Sequence, residues 1–244
     1  MRLLKLTAFL VLIIAFSAST VFAIPVLQIY VEEATYDAVS ETWVITGSSS
    51  FRLWVMGNVD GPGGNGTIND VVLCAAYPTI DTGTITITGT TASPISNPSP
   101  STLTPSPLSI LESGVGTSPL MGDGSALPSH GIYGDGTSWN TYSIGDFTST
   151  ESPVADLISS FPAYPGPGWT DGAGQINAYE VTVTGYTWVH FDAFGTYHNP
   201  DNPHPIFAPF SHDAQYAVPE PATMFLLGSG LIGVGIFVRR KFKS

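Results

Sequence analysis

Polar and apolar positions alternate along much of the chain in short runs. Thr84-Ile85-Thr86-Ile87-Thr88 alternates strictly, and so does Tyr179-Glu180-Val181-Thr182-Val183-Thr184. Phe51, Leu53 and Val55 fall on one face of a run whose other face carries Arg52, Trp54 and Met56. Val26 to Val31 and Thr42 to Thr46 are rich in β-branched and aromatic residues, and Gly185-Tyr186 separates the Tyr179 run from another over Thr187 to Phe194. A period of two marks half-buried strands, with Gly, Asn or Asp at the breaks. Without amphipathic helical runs between them, these strands predict a mainly β, antiparallel, sandwich-like body. A short helix is expected in the Pro-bounded stretch from Val154 to Ser160.

Five prolines among Ser and Thr between Thr90 and Ser109 cannot pair centrally in a sheet and favour extended backbone. Residues 90–109 therefore read as a long loop inside one domain, with a linker as the alternative. The body is expected to pair strands from 26–90 with strands from 175–195, leaving 110–175 as a loop-rich insertion. No internal repeat of fixed period is found.

Two longer apolar runs break the strand pattern, one near each end. Arg2 and Lys5 precede Leu6 to Phe16, and small residues follow up to Val21-Phe22-Ala23. This is the layout of a secretory signal peptide, helical over 1–23 and cleaved after Ala23; a retained anchor is the alternative, for which the run is short. Ala222 to Val238 carries no charge, and as a helix it spans about 25 Å, enough to cross a hydrocarbon core. The basic tail at 239–244 then stays in the cytoplasm, with the exported body at 24–217 outside and the whole C-terminal signal at 218–244. Gly228, Gly230 and Gly233 within that run spell GxGxxG. The pattern lacks the acidic residue that a dinucleotide site needs about twenty positions later, and close helix packing explains it better.

Charge sharpens this division. The chain of 244 residues is only 11% charged, with seven Lys+Arg against nineteen Asp+Glu and a net charge of −12. Six of the seven basic residues belong to the two ends, so 24–217 holds Arg52 alone against every acidic residue except Glu220 and carries a charge of about −17. A body so acidic has no basic stripe for nucleic acid. Lacking Lys, it also has no Lys-dependent chemistry.

Val218-Pro219-Glu220-Pro221, a Gly-containing span and the basic cluster beginning Arg239-Arg240 resemble the PEP-CTERM sorting signal of Gram-negative bacteria. That resemblance implies recognition of Pro219, Glu220, Pro221, Arg239 and Arg240 by an exosortase, after export through the Sec translocon and transient insertion in the inner membrane. It also implies a final place at the cell surface or in an extracellular matrix, in company with exopolysaccharide; an ordinary tail anchor is the alternative. Phrases such as Ala34-Thr35-Tyr36-Asp37, Ser50-Phe51-Arg52-Leu53-Trp54-Val55 and Pro128-Ser129-His130-Gly131-Ile132-Tyr133 resemble the choice-of-anchor N proteins, secreted bacterial proteins with differing C-terminal signals. That second resemblance implies no activity.

Candidate chemistry in the body is sparse. Cys74, the sole cysteine, sits in the apolar run from Val71 to Ala76 and reads as a buried thiol. No HExxH, GxSxG or Ser-x-x-Lys motif occurs. His198, Asp201 and His204, followed by His212-Asp213, offer donors for zinc or another transition metal, but polar turn residues account for them too. His190 and Asp192 share one face of a strand at period two. Acidic, Gly-permissive turns at Asp60, Asp70, Asp123 and Asp135 suit Ca²⁺, although none completes an EF-type loop and ordinary turn chemistry explains them equally. Trp54, Trp139, Trp169 and Trp188 lie outside the obvious core runs and offer stacking faces for sugar rings, with core packing as the alternative. The resulting expectation is a non-enzymatic structural, adhesive or glycan-binding body without a cofactor other than a possible Ca²⁺. The alternative is a secreted hydrolase or metal-dependent enzyme using His130, His212 and Asp213.

Overall fold

A computed structural model describes residues 24–60, 66–90, 105–160, 170–198, 203–218 and Ser229. The signal peptide and, Ser229 apart, the expected span at 222–238 lie outside these residues, as do Asp201, Trp169 and most of the Pro-rich loop. Among the described residues no helix is long and apolar enough to cross a membrane.

The body is mainly β, as its periodicity predicts. One sheet runs in the order β1 (Leu27–Val31), β4 (Ser50–Gly57), β10 (Thr170–Thr184) and β6 (Thr84–Thr90), with β9 (Ser152–Val154) added to β10. The second sheet runs β2 (Thr35–Asp37), β3 (Thr42–Thr46), β13 (Ala214–Ala217), β11 (Trp188–His198), β5 (Thr67–Pro78), β8 (Thr137–Phe147) and β7 (Ile110–Val115), with β12 (His204–Phe207) on β11. Neighbours are antiparallel except β13 and β3, which run parallel and make this sheet mixed. A single turn of helix, α1 (Leu157–Ser160), lies within the stretch expected to be helical.

Both sheets contribute to one apolar core. Leu53, Val55 and Val181 of the first meet Leu73, Val189 and Phe191 of the second in a single cluster. Phe51 joins the layers through an edge contact with Phe191 at 6.0 Å and a stacked contact with Tyr216 at 5.9 Å. Gln28, fully buried on β1, is satisfied by donating to the Ala155 carbonyl at 2.8 Å and accepting from the Leu157 amide at 2.9 Å.

The region expected to be loop-rich contains two strands of the larger sheet. β8 pairs with β5 from Pro78↔Thr137 to Ile68↔Phe147, and β7 pairs with its other edge. Its sequence, Thr-Ser-Trp-Asn-Thr-Tyr-Ser-Ile-Gly-Asp-Phe, is polar enough to mask an alternation that buries Trp139, Thr141 and Tyr142 on a strand covered on both faces. What covers the outer face is the β7–β8 connection. Leu127 and Tyr133 from that connection pack with Cys74, Ala76, Trp139 and Phe194 to form a second, smaller core. The end of the Pro-rich loop returns to the first sheet, where Pro107 bridges Thr88 and the Leu108 amide donates to the Ile87 carbonyl at 2.8 Å.

Candidate metal centre

The second core holds a cluster of charged and titratable side chains. On β11 the odd residues Val189, Phe191 and Ala193 point into the main core, so Trp188, His190, Asp192 and Phe194 form the opposite stripe. Opposite them on β5 are the small residues Ala76, paired with His190, and Cys74, paired with Asp192, which leave room above the sheet. Ala214 pairs with Phe191, so Asp213, one residue earlier, falls beside Asp192. The β7–β8 connection lowers His130 onto this stripe. His130 has φ +28°, outside the range in which a residue with a Cβ is relaxed, so the surrounding fold holds it there.

These four side chains converge. His130 Nε2 is 3.3 Å from Asp192 Oδ1 and 3.5 Å from Asp213 Oδ2, while His190 Nε2 is 3.6 Å from Asp192 Oδ2 and 3.2 Å from Asp213 Oδ2. One donor atom from each residue lies within 4.8 Å of every other. His190, Asp192 and Asp213 are buried, and the side chain of His130 is 11% exposed. Neither ring nitrogen of His190 makes a hydrogen bond, and neither does Asp213 Oδ2. The Tyr133 hydroxyl donates to Asp192 Oδ2 and orients it, while the Thr42 hydroxyl stands 3.4 Å from Asp213 Oδ1 and donates to the Ser40 carbonyl at 3.0 Å. Phe210 stacks on His130 at 4.2 Å and caps the site from solvent.

Burial favours neutral forms, and the close charges oppose it. Burial alone would push the His190 imidazolium pKa down, but Asp192 and Asp213 outweigh it and hold the ring at about 10. Against the same burial, His190 and His130 keep Asp192 well below the usual carboxylate range. Burial dominates at Asp213, whose pKa rises. Cys74 Sγ lies 3.3 Å from the Tyr133 hydroxyl, and burial raises its thiol pKa, which makes it a protonated packing group.

The other candidates fall elsewhere. His212 turns away from its neighbour Asp213, with Nε2 at 3.1 Å from Asp156 Oδ1 and Nδ1 at 2.8 Å from Ser211 Oγ. Of the proposed hydrolase set, only His130 and Asp213 therefore meet. His198 and His204 are exposed on β11 and β12, away from the buried cluster. Among the described residues, Asp60, Asp70, Asp123 and Asp135 belong to no group of three or more ligand side chains. Asp123 accepts from the Ser125 amide and hydroxyl at 2.9 and 2.6 Å, so turn chemistry occupies it, and the Asp70 backbone amide donates across the β5–β8 pair to Asp146 Oδ1 at 2.8 Å. Trp54 and Trp139 are core residues rather than open stacking faces: Trp54 Nε1 donates to Glu32 at 2.7 Å and Trp139 Nε1 to the Thr117 carbonyl at 2.6 Å. Trp188 is half-buried against the second core.

The sequence groups His190 with Asp192 on one strand face and His130 with Asp213 in the hydrolase alternative; the fold joins the two pairs. The available signal was the run Trp-Val-His-Phe-Asp-Ala-Phe, where apolar residues flank the charged pair on its own face and line the opposite face. Such a stripe is covered, and a covered charge needs a partner.

The body ends at β13, where the Val218 amide donates to the Thr187 carbonyl at 2.9 Å. Residues 217–241 match the PEP-CTERM protein-sorting motif. This chain is an exosortase substrate, exported to the cell surface or extracellular space. The PEP-CTERM motif thus begins on the last residue of the folded sheet, so processing beyond Val218 leaves every described strand intact. No curated protein matches the chain.

Proposed function

We propose that this is a surface or matrix protein whose body acts as a non-enzymatic structural or adhesive module, released by cleavage of its sorting signal. The observation that carries this reading is the junction of β13 with the PEP-CTERM motif, which separates a self-contained β body from a disposable tail. The signal peptide of 1–23 directs the chain to the Sec translocon, and the span at 222–238 holds the precursor in the inner membrane until the exosortase acts. The likeness of the body to choice-of-anchor N proteins fits a module that works with interchangeable anchoring signals. Exopolysaccharide is the expected neighbour, and a neutral glycan suits a body whose sole fixed cation, Arg52, is tied to Glu180 and Glu32. With Trp54 and Trp139 buried, glycan binding would draw on other surfaces.

The experiment is fractionation of cells expressing Glu220→Ala or Arg239→Ala/Arg240→Ala variants. These variants accumulate in the inner membrane while the parent protein reaches the surface fraction. Normal release of both variants would overturn the sorting mechanism.

A second reading, a secreted hydrolase, draws on the hydrogen-bonded chain Ser211–His212–Asp156, which has a hydroxyl, a base and an orienting carboxylate in sequence. Turnover of any member of a glycan and ester panel, lost in both Ser211→Ala and His212→Ala, would support it over the first.

A further inference from the structure

The four convergent side chains of the second core have a requirement that the sorting function leaves unanswered. Two carboxylates are buried, and the body's one guanidinium is engaged elsewhere, with Arg52 Nη2 at 2.7 Å from Glu180. Two carboxylates packed together in such a place are costly unless enough positive charge is brought to them. The orphaned atoms point to what the counter-charge is. His190 Nε2 and Asp213 Oδ2 approach to 3.2 Å without a hydrogen bond, so the bonding capacity of both atoms is left unused within the protein.

We infer that His130, His190, Asp192 and Asp213 form a site for a divalent transition-metal ion of the zinc class, which fastens the β7–β8 connection to the outer face of the larger sheet.

The distances fit this ion. Metal–nitrogen and metal–oxygen bonds of about 2.0–2.2 Å place tetrahedral donors about 3.3–3.6 Å apart. The four His-to-Asp separations, taken to both oxygens of Asp192, run from 3.2 to 3.6 Å, and one donor atom from each residue lies within 4.8 Å of the rest. Charge fits as well, since two carboxylates and two neutral imidazoles bring a dication to neutrality. Two imidazoles argue against Ca²⁺ and Mg²⁺, which take oxygen ligands in greater number. Tyr133 on Asp192 supplies an outer contact of the kind that orients carboxylate ligands in metal sites. All four positions are filled by protein and His130 is the most exposed of them, so the site is closed and structural, with His130 and Phe210 at its entrance.

The role follows from what the body lacks. One cysteine cannot form an internal disulfide, and the second core is small. Three of the ligands are fixed by β11 and the start of β13, whereas His130 comes from a connection with no strand of its own. A metal bond to His130 closes that connection as a disulfide would in another exported protein.

The test uses the full-length protein in detergent, stripped with EDTA and titrated separately with Co²⁺, Zn²⁺ and Ca²⁺. The expected result is one Co²⁺ per chain with the intense visible absorption of tetrahedral cobalt, displacement by Zn²⁺, and a higher melting temperature with Zn²⁺ but not Ca²⁺. Tyr133→Phe weakens Zn²⁺ binding about 10–100-fold, and His130→Gln, the least buried ligand, weakens it further. The control His198→Gln/His204→Gln binds as the parent does. X-ray absorption of the Zn²⁺-loaded parent protein, which needs no variant to fold, shows two imidazole nitrogens and oxygen without sulfur. Absence of stoichiometric binding, a sulfur shell, an equal response to Ca²⁺, or unchanged affinity in His130→Gln would each overturn the site.

Discussion

His190 Nε2 and Asp213 Oδ2 lie 3.2 Å apart, buried and without a hydrogen bond to each other. In the metal-free protein the imidazolium of His190 is the counter-charge that lets Asp192 stay ionised beside Asp213. Removing it in His190→Leu leaves two adjacent buried carboxylates and only His130 to face them. The expected loss, measured from urea unfolding of EDTA-treated protein, is about 3–5 kcal/mol, the usual cost of breaking one side of a buried pair. The triple variant His190→Leu/Asp192→Asn/Asp213→Asn recovers much of that loss, because no unpaired charge remains. A His190→Leu protein as stable as its parent would mean that the carboxylates are not held as ions.

Most strands were legible because they carry one polar and one apolar face. β3 matches its expected bounds, and β4, β6 and β10 extend the runs that predicted them. β8 was hidden by its Ser, Thr and Asn content, which is tolerated because its polar groups find partners, as Thr79 Oγ1 does with Ser138 and Ser113 Oγ with Asn140. The site was half legible. Period two places His190 and Asp192 together, but His130 and Asp213 lie 60 residues before and 21 after that pair's nearer members in the chain. Only the order β13-β11-β5 and the folding back of the β7–β8 connection unite them. Nothing in local spacing encodes that order.

Edge strand β7 rests on β8 through a glycine. A Cβ at Gly114 would stand 2.2 Å from Trp139 Cζ2, and the indole cannot easily withdraw because its Nε1 donates to the Thr117 carbonyl at 2.6 Å. Gly114→Ala therefore strains the β7–β8 pair and costs about 1–3 kcal/mol. The expected measurement is a lower urea midpoint together with faster amide exchange in Ile110–Val115. Gly124→Ala, which has open space at its Cβ, strains only a left-handed turn and leaves exchange in β7 unchanged.

Cys74 is fully buried, and burial raises its thiol pKa with Asp192 adding to the effect. The thiolate is the reactive form, so native protein is expected to resist alkylation by iodoacetamide at neutral pH. In denaturant the same residue reacts completely, as mass spectrometry of the labelled chain would show. Rapid labelling of the folded protein would place Cys74 at the surface and contradict the packing of the second core.

Glu32 provides a titration whose sign can be checked by substitution. Burial raises its pKa, while the Trp54 Nε1 hydrogen bond at 2.7 Å and Arg52, with Nη1 at 3.6 Å, lower it; burial prevails. A carboxyl held above its unfolded value contributes stability that is present below the unfolded pKa, near 4.3, and lost as pH rises through the folded one. Trp54→Phe removes a donor that favours the charged form, and Arg52→Met removes the cation, so each moves the Glu32 midpoint further up. Glu180→Gln removes a neighbouring negative charge and, through that charge, moves it down. Carboxyl-carbon NMR titration of Glu32 in the parent and the three variants reads these directions. A fall in Arg52→Met would contradict the assigned balance, because no other Arg or Lys occurs between 24 and 217 to replace that charge.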